Sequence, residues 1–487
     1  MPIRSAKRLK QIPGSICAPL GFKAAAVFCD IKKLGTGKGS KKGRKDDLAL
    51  IVSDVPAAVA GMFTTNKVCA PPVKVSAKCA VRKTARAIVV NSGNANACTG
   101  RQGMRDAEKM ARLTAETVAA TWHRLPADEL HGLEAHATTD RRFQEIQPND
   151  VFVCSTGRIG IPMPMRNVER GIGECAPLLA RSSGRASDVA EAIMTSDTRR
   201  KEIAVEIKID GKPVRIGGIC KGAGMIQPRM AVATPLRRRG PGPPRRSGAA
   251  TGHATMLAFI TSDAAITSGL LRQALAEAVA QSFNRITVDG DMSTNDCVIF
   301  LANGLAKNRP LSSSRTGIKG SPYRQRFQDA LNFVCLELAK MIVRDGEGVS
   351  RFVTVHVCGA KTPHDAERAA RAITNSSLVR TSWCGGDPNW GRILCAIGYS
   401  GAIMNEAVTD IGYSAAGHGR TLYGFRRGRP TNASLQALAQ ITAAPEFDVH
   451  INLHQGEGEF TMYASDLTEK YVAFNKGDVT DPTSLGG

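Results

Sequence analysis

The chain has 487 residues, with 43% hydrophobic and only 5% aromatic side chains, and a formal net charge of +22. That length exceeds what one small core organises, and no run of eighteen apolar residues offers a membrane span. Twelve Lys/Arg against Asp30 lie in residues 1–45, and five Arg with no acid lie in 232–254. The excess charge therefore sits in segments that read as tails or loops, which argues against a nucleic-acid face.

Thirteen cysteines without a C-x-x-C pair, mostly in apolar company as in VFVCS and NFVCLEL, fit a reducing compartment better than a disulfide framework. Nine histidines without ligand spacing predict no metal site. The basic start MPIRSAKRLKQIPGS has no apolar stretch behind it and does not read as a secretory signal. A cytoplasmic location is expected, with an organellar address as the alternative.

Along the chain, GTGKGSKKGRK (35–45) looks like a phosphate loop but lacks the G-x-x-x-x-G-K-[ST] register, and reads as a hairpin tip. DLALIVSD (47–54), ARAIVVNSG (85–93) and DVFVCSTG (150–157) are short apolar strands, with a helix over 105–122 between the last two. In KEIAVEIKIDGKPVRIGGICKGAGM (201–225), Ile203, Val205, Ile207 and Ile209 alternate and Asp210-Gly211 supplies a tight hairpin turn. TMLAFI, from Thr255, reads as a strand. Helices follow over 268–283 and 324–343, the second with Phe327, Leu331, Val334, Leu338 and Met341 on one face. A strand over 351–359, a helix over 365–374 and a closing hairpin over 448–467 complete the pattern. Strands and helices in clusters predict an α/β fold of layered sheets rather than strict β-α-β alternation.

Five polar stretches sit where strands end: NSGNANACTG (91–100), STGRIG (155–160), TVDGDMSTND (287–296), RDGEGVSR (344–351) and GGDPNWGR (385–392). Each alone reads as a turn. Together they predict one pocket of backbone amides and hydroxyls, suited to zwitterionic ligands and oxyanions. There is no G-x-S-x-G elbow and no dinucleotide fingerprint. Thr255 follows small Ala254 and opens a strand. Scission there would free an α-amine whose ordinary pKa of about 7.7–8.0 makes it a base for its own hydroxyl, although a threonine opening a strand is also common structure.

KGAGMIQP and ATMLAFITSDAAI, together with GMFTTNKVCAPPV, AIVVNSGNANACTG, CSTGRIGIPMPM, AIMTSDT, SFNRITVDGDMSTND, IVRDGEGVSRFVTV, NSSLVRTS and DPNWGRI, resemble in order the blocks of the ornithine acetyltransferase family. These are the bifunctional glutamate N-acetyltransferases/amino-acid acetyltransferases of arginine biosynthesis. The resemblance runs from about residue 14 to 475.

It implies a layered α/β sandwich, self-cleaved between Ala254 and Thr255 into an α chain (1–254) and a β chain (255–487) that assemble as a heterotetramer. Thr255 would be the nucleophile that moves acetyl from N-acetylornithine to glutamate, releasing ornithine and N-acetylglutamate. Thr156 and Gly157 match the family's oxyanion hole. Thr195, Lys221, Thr255, Glu347, Asn475 and Thr480 match its substrate contacts. No cofactor or metal is implied, beyond acetyl-CoA as an alternative acetyl donor, and neither nucleic acid nor membrane is expected as a partner. The competing readings are a self-processing N-terminal-Thr hydrolase such as an aminopeptidase, a basic scaffold, and a family member silenced by its insert.

The departures are specific. The family's pattern K-G-x-G-M-I-x-P-x-M-A-T is continuous, whereas here residues 232–254 intervene; joining Ala231 to Thr255 restores KGAGMIQPRMATMLAF. The Arg/Pro/Gly segment is either a looped-out insertion or sequence foreign to the mature protein. The second is preferred, because a loop abutting the scissile bond disturbs the geometry that scission needs. Deleting 232–254 is accordingly expected to give a chain that matures at least as completely. The end NKGDVTDPTSLGG also departs from the family's N-A-x-Y-x-[ST], so Thr480 is placed by alignment of a hydroxyl alone.

Overall fold

The computed structural model describes residues 9–32, 45–122, 146–233, 255–312, 322–417 and 419–476. Most of 35–45, the insert from Thr234 to Ala254, and Thr480 lie outside the described residues. In chain order the strands are β1 (Lys10–Gln11), β2 (Phe22–Val27), β3 (Leu48–Thr64), β4 (Thr84–Asn94), β5 (Val151–Arg158), β6 (Lys201–Ile209), β7 (Lys212–Lys221), β8 (Met230–Val232) and β9 (Leu257–Ser262). They continue with β10 (Ile286–Thr287), β11 (Cys297–Ala302), β12 (Phe352–Ala360), β13 (Asp410–Ala415), β14 (Leu422–Arg426), β15 (Arg429–Pro430), β16 (Glu446–Asn452) and β17 (Gly458–Ser465). A 10-stranded sheet runs β1-β6-β7-β9-β11-β3-β4-β5, with β2 and β8 also on β3.

The site depends on how β3 bends. Its pairing with β4 runs from Leu48↔Asn91 to Val52↔Ala87, slips, and resumes at Ala57↔Ala85. Pro56 lies in the slip and cannot donate to a ladder, so the strand bulges there instead of ending. The strand read from sequence over 47–54 is therefore too short: it continues to Thr64 and carries β11 on its second half.

The bend folds the sheet over on itself. Ile51, Ile88, Val90, Phe152 and Cys154 from one half share a core with Leu257, Phe259, Cys297 and Ile299 from the other, and the Cys154 and Cys297 sulfurs lie 3.7 Å apart. The alternate residues face outward. Val89 and Val153 pack under the helices Gly100–Trp122 and Met165–Cys175. Ala258, Ile260 and Phe300 pack under Ser268–Gln281 and Pro322–Arg344. The result is the expected layered α/β sandwich, in which each fully buried Ile, Leu or Phe contributes about 1.5–3 kcal/mol. The β6–β7 hairpin turns at Asp210 (φ 51°) and Gly211 (φ 74°) as its sequence requires.

A 7-stranded sheet, β10-β17-β12-β16-β13-β14-β15, forms the second part, packed on the helix Pro363–Asn375 through Val353, Val355, Phe447 and Val449. Here the closing hairpin expected over 448–467 is corrected. β12 lies between β16, its parallel neighbour, and β17, its antiparallel one. The connection crosses the end of β12, where Leu453 N donates to Cys358 O (3.0 Å) and Gln455 N to Gly359 O (2.6 Å). Alternation fixes which face a residue takes but not which strand it pairs with. No helix among the described residues is long and apolar enough to cross a membrane.

The boundary of the insert also shifts. Val232 pairs with Met62 in β8, and Ala233 N reaches Gly61 O (3.4 Å), so these two residues belong to the sheet. Ala231 is level with Phe63, Phe63 with Cys297, and Cys297 with Leu257. Ala231 thus lies across β3 from β11 and β9.

Candidate active site

The folded-over sheet brings the ends of β5 and β7 and the start of β9 to one end of the sandwich. Lys221 closes β7, is level with Leu257 of β9, and is wholly buried. Its ammonium donates to the hydroxyls of Thr195 (2.7 Å) and Thr156 (3.2 Å). Burial pulls it down to about 8, against the attraction of Asp197.

Thr156 and Gly157 on β5 are level with Ser92 and Gly93 on β4. Gly157 has φ +127°, and a Cβ there would stand 2.2 Å from the Gly93 carbonyl carbon, so only glycine fits.

Thr255 is 2% exposed, and its hydroxyl lies 2.8 Å from that of Ser293. Ser293 Oγ accepts from Asn295 N (3.2 Å), and the Asn295 amide donates to Ser155 O (2.9 Å) and Ala95 O (2.8 Å). Ser293 and Asn295 therefore tie Thr255 to the strand that carries Thr156. On the other side, Glu347 accepts from Ser196 Oγ (2.6 Å) and Asn475 Nδ2 (3.1 Å), and its amide donates to Ala223 O (3.0 Å). Thr156, Gly157, Thr195, Lys221, Thr255, Glu347 and Asn475 are thus brought together. Ala254 and Thr480 lie outside the described residues.

Four of the five polar stretches join this end. The fifth, 385–392, does not: Asn389 caps the helix Trp390–Gly398 through Arg392 N (3.1 Å), and Gly386 O accepts from Thr442 Oγ1 (2.6 Å). It is a turn and helix cap beside the second sheet.

Several residues carried no separate signal in the sequence. Asp197 accepts from Thr195 N (3.1 Å), Gly222 N (2.8 Å) and Lys201 Nζ (2.6 Å), and so fixes Thr195, one partner of the Lys221 ammonium, and Gly222, the residue after Lys221. Burial alone would raise the Asp197 carboxyl; Lys221 and Lys201 outweigh it and hold the group below its usual range. Lys201 also donates to Asp345 (2.5 Å). Asp296 accepts from Met256 N (2.9 Å) through Oδ1, while its buried Oδ2 makes no hydrogen bond, and burial pushes this carboxyl up to about 7. Asp289 accepts from the amides of Met225 and Ile226 (2.8 Å for the second), which fixes the turn after Lys221. Ser293, Asn295 and Asp296 belong to a stretch singled out as polar, but composition did not rank them within it.

The model of the ArgJ family matches residues 32–478. The arginine biosynthesis bifunctional protein ArgJ of Symbiobacterium thermophilum is 41% identical over 467 residues, covering 96% of this chain and 99% of that protein. Glutamate N-acetyltransferase of Methanocaldococcus jannaschii is 40% identical over 472 residues, covering 96% and 99% respectively. A solved chain of Mycobacterium tuberculosis ornithine acetyltransferase, in complex with ornithine, is 30% identical. It matches over 46% of this chain and 100% of its own length, with a TM-score of 0.35.

Proposed function

The chain belongs to the ArgJ family of arginine biosynthesis, and from that premise we propose that Thr255 carries an acetyl group between two amino acids. It is an acetyltransferase, and the donor we assign is N2-acetyl-L-ornithine and the acceptor L-glutamate. The precursor cuts itself between Ala254 and Thr255, giving an α chain (1–254) and a β chain (255–487) that assemble as a heterotetramer. The Thr255 hydroxyl then attacks the acetyl carbon, the amide C–N bond breaks, and ornithine leaves with the proton. The α-amine of glutamate attacks the resulting ester, N-acetylglutamate departs, and the hydroxyl is restored. Acetyl-CoA is a second donor that the same ester accommodates, and the route calls on no metal.

One observation carries this reading: the buried Lys221 ammonium donates to the Thr156 hydroxyl. A hydroxyl that accepts from an ammonium keeps its own proton to give. Thr156, with the Gly157 amide beside it, is in that way ready to donate to an oxyanion. Thr195, Lys221, Glu347 and Asn475, with Thr480 from the tail, are the substrate contacts in this reading; a Glu carboxylate suits an α-amine and a Lys an α-carboxylate. The thirteen cysteines, all unpaired, support a reducing, cytoplasmic setting.

The test is acetyl transfer from N-acetylornithine with and without glutamate, alongside Thr255→Ala. Transfer that needs glutamate, and a variant that is neither cut nor active, are expected. Release of acetate at the same rate without glutamate would instead identify a hydrolase.

A further inference from the structure

Resting on that reading of Thr255, we infer that Asp296 is the positioning residue for the Thr255 nitrogen. Its oxygen without a hydrogen bond receives the α-amino group that scission creates, and it thereby sets the pH at which that amine acts as base.

The geometry is local. Asp296 is fully buried, and Oδ1 is taken by the amide of Met256, the residue directly after Thr255. Bond lengths place the nitrogens of successive residues within about 3.7 Å, so one carboxylate can serve both. Oδ2 makes no hydrogen bond, whereas buried polar atoms are almost always paired. The Ser293 amide is near enough to favour the ionised carboxylate. In the uncut chain the Thr255 nitrogen is an amide with one hydrogen. After scission it is an amine that becomes an ammonium with three, and a donor for Oδ2 then exists.

Among the described residues, no other carboxylate hydrogen-bonds to residues 255–256. The charged and titratable groups facing Asp296 are Lys221 on β7, which favours its ionised form, and Asp289 in the same loop, which favours its neutral form; Cys297 adjoins it.

In the acetyl-transfer step the Thr255 Oγ proton passes to the α-amine as the C–O bond forms. The ammonium is held by the Asp296 carboxylate and hands the same proton to the departing ornithine nitrogen as the C–N bond breaks. In scission, the same nitrogen must gain a proton as it leaves Ala254, beside the same carboxyl.

Asp296→Asn keeps the Met256 bond and removes the charge. In the mature variant the acid limb of kcat/KM for acetyl transfer is expected to move down by about one pH unit or more, with turnover at least tenfold lower. Asp296→Glu should return the limb toward that of the parent. A folded Asp296→Asn chain that remains uncut also supports the assignment, because the nitrogen then lacks its proton source. A mature variant with the parent's pH profile overturns it.

If the amide variant does not fold, infrared titration of the uncut Thr255→Ala chain against the mature parent decides. A buried carboxyl that is neutral at pH 6 in the first and ionised in the second supports the pairing. Identical titration in both overturns it. A parent that transfers no acetyl at all refutes the function proposed above, and the infrared comparison still reports on Asp296.

Discussion

Lys201 and Lys221 are the first and last residues of one hairpin and stand together at its open end, Lys201 level with Cys220, the residue before Lys221. Both are fully buried. Lys201 is clamped by two carboxylates, Asp197 at 2.6 Å and Asp345 at 2.5 Å; burial pulls its ammonium down, but these partners outweigh that and hold it above its ordinary value. Lys221 touches only hydroxyls, and burial takes it down to about 8. Burial alone therefore does not mark a functional lysine. What the charge is paired with separates the two: the first lysine is neutralised by carboxylates, and the second, in the function proposed above, is a charge held for use.

The comparison breaks most visibly at Lys201. Lys201→Met leaves two buried carboxylates without their cation and should cost about 3–5 kcal/mol of stability, read by denaturant unfolding. A loss under about 1 kcal/mol would mean that the clamp is ornamental.

Thr156→Ala acts beside Lys221. The fold should hold, while turnover drops by about two orders of magnitude through loss of one oxyanion donor. A rise in KM with kcat unchanged would make Thr156 a ground-state contact instead.

The smallest effect sharpens the contrast in sign. The folded Lys221 value lies near 8, below its ordinary 10.5, so the charged form opposes folding at neutral pH. Parent stability should therefore rise relative to Lys221→Met by about 2 kcal/mol between pH 8 and 10. Lys201, raised above 10.5, has the opposite sign: its contribution is present below that pH and is lost as the pH climbs through its folded value. Between pH 8 and 10 the difference between parent and Lys201→Met should therefore stay flat, while that between parent and Lys221→Met changes.

Much of this arrangement is legible in the residues. The alternation in 201–209 and the Asp210-Gly211 turn predict the hairpin, and the polar strand ends predict one pocket, while Lys221 and Thr156 are implied as site residues by the family resemblance alone. What the residues do not convey is partner choice. Nothing in 47–64 announces that Pro56 bends a strand rather than stopping it, and the period of 446–465 is the same whether β17 meets β16 or β12. Ser293 and Asp296 are invisible for a related reason: their importance lies in which long-range neighbour they face across the fold. The insert is a case where pairing changes the expectation. With β8 on β3, Ala231 lies across β3 from β11 and β9, so joining it to Thr255 asks one peptide bond to bridge that gap. A chain lacking 232–254 is therefore expected to mature only with β8 off that edge, a condition that the motif alone did not reveal.

The central claim, that Thr255 carries the acetyl group, is tested most directly by trapping it. Mature protein incubated with N-acetylornithine and no glutamate is quenched in acid, digested, and weighed peptide by peptide. An acetyl group on the peptide that begins at Thr255, discharged on addition of glutamate, is the predicted result. Turnover that proceeds at full rate with no acetyl on that peptide, or from a chain never cut before Thr255, would contradict it.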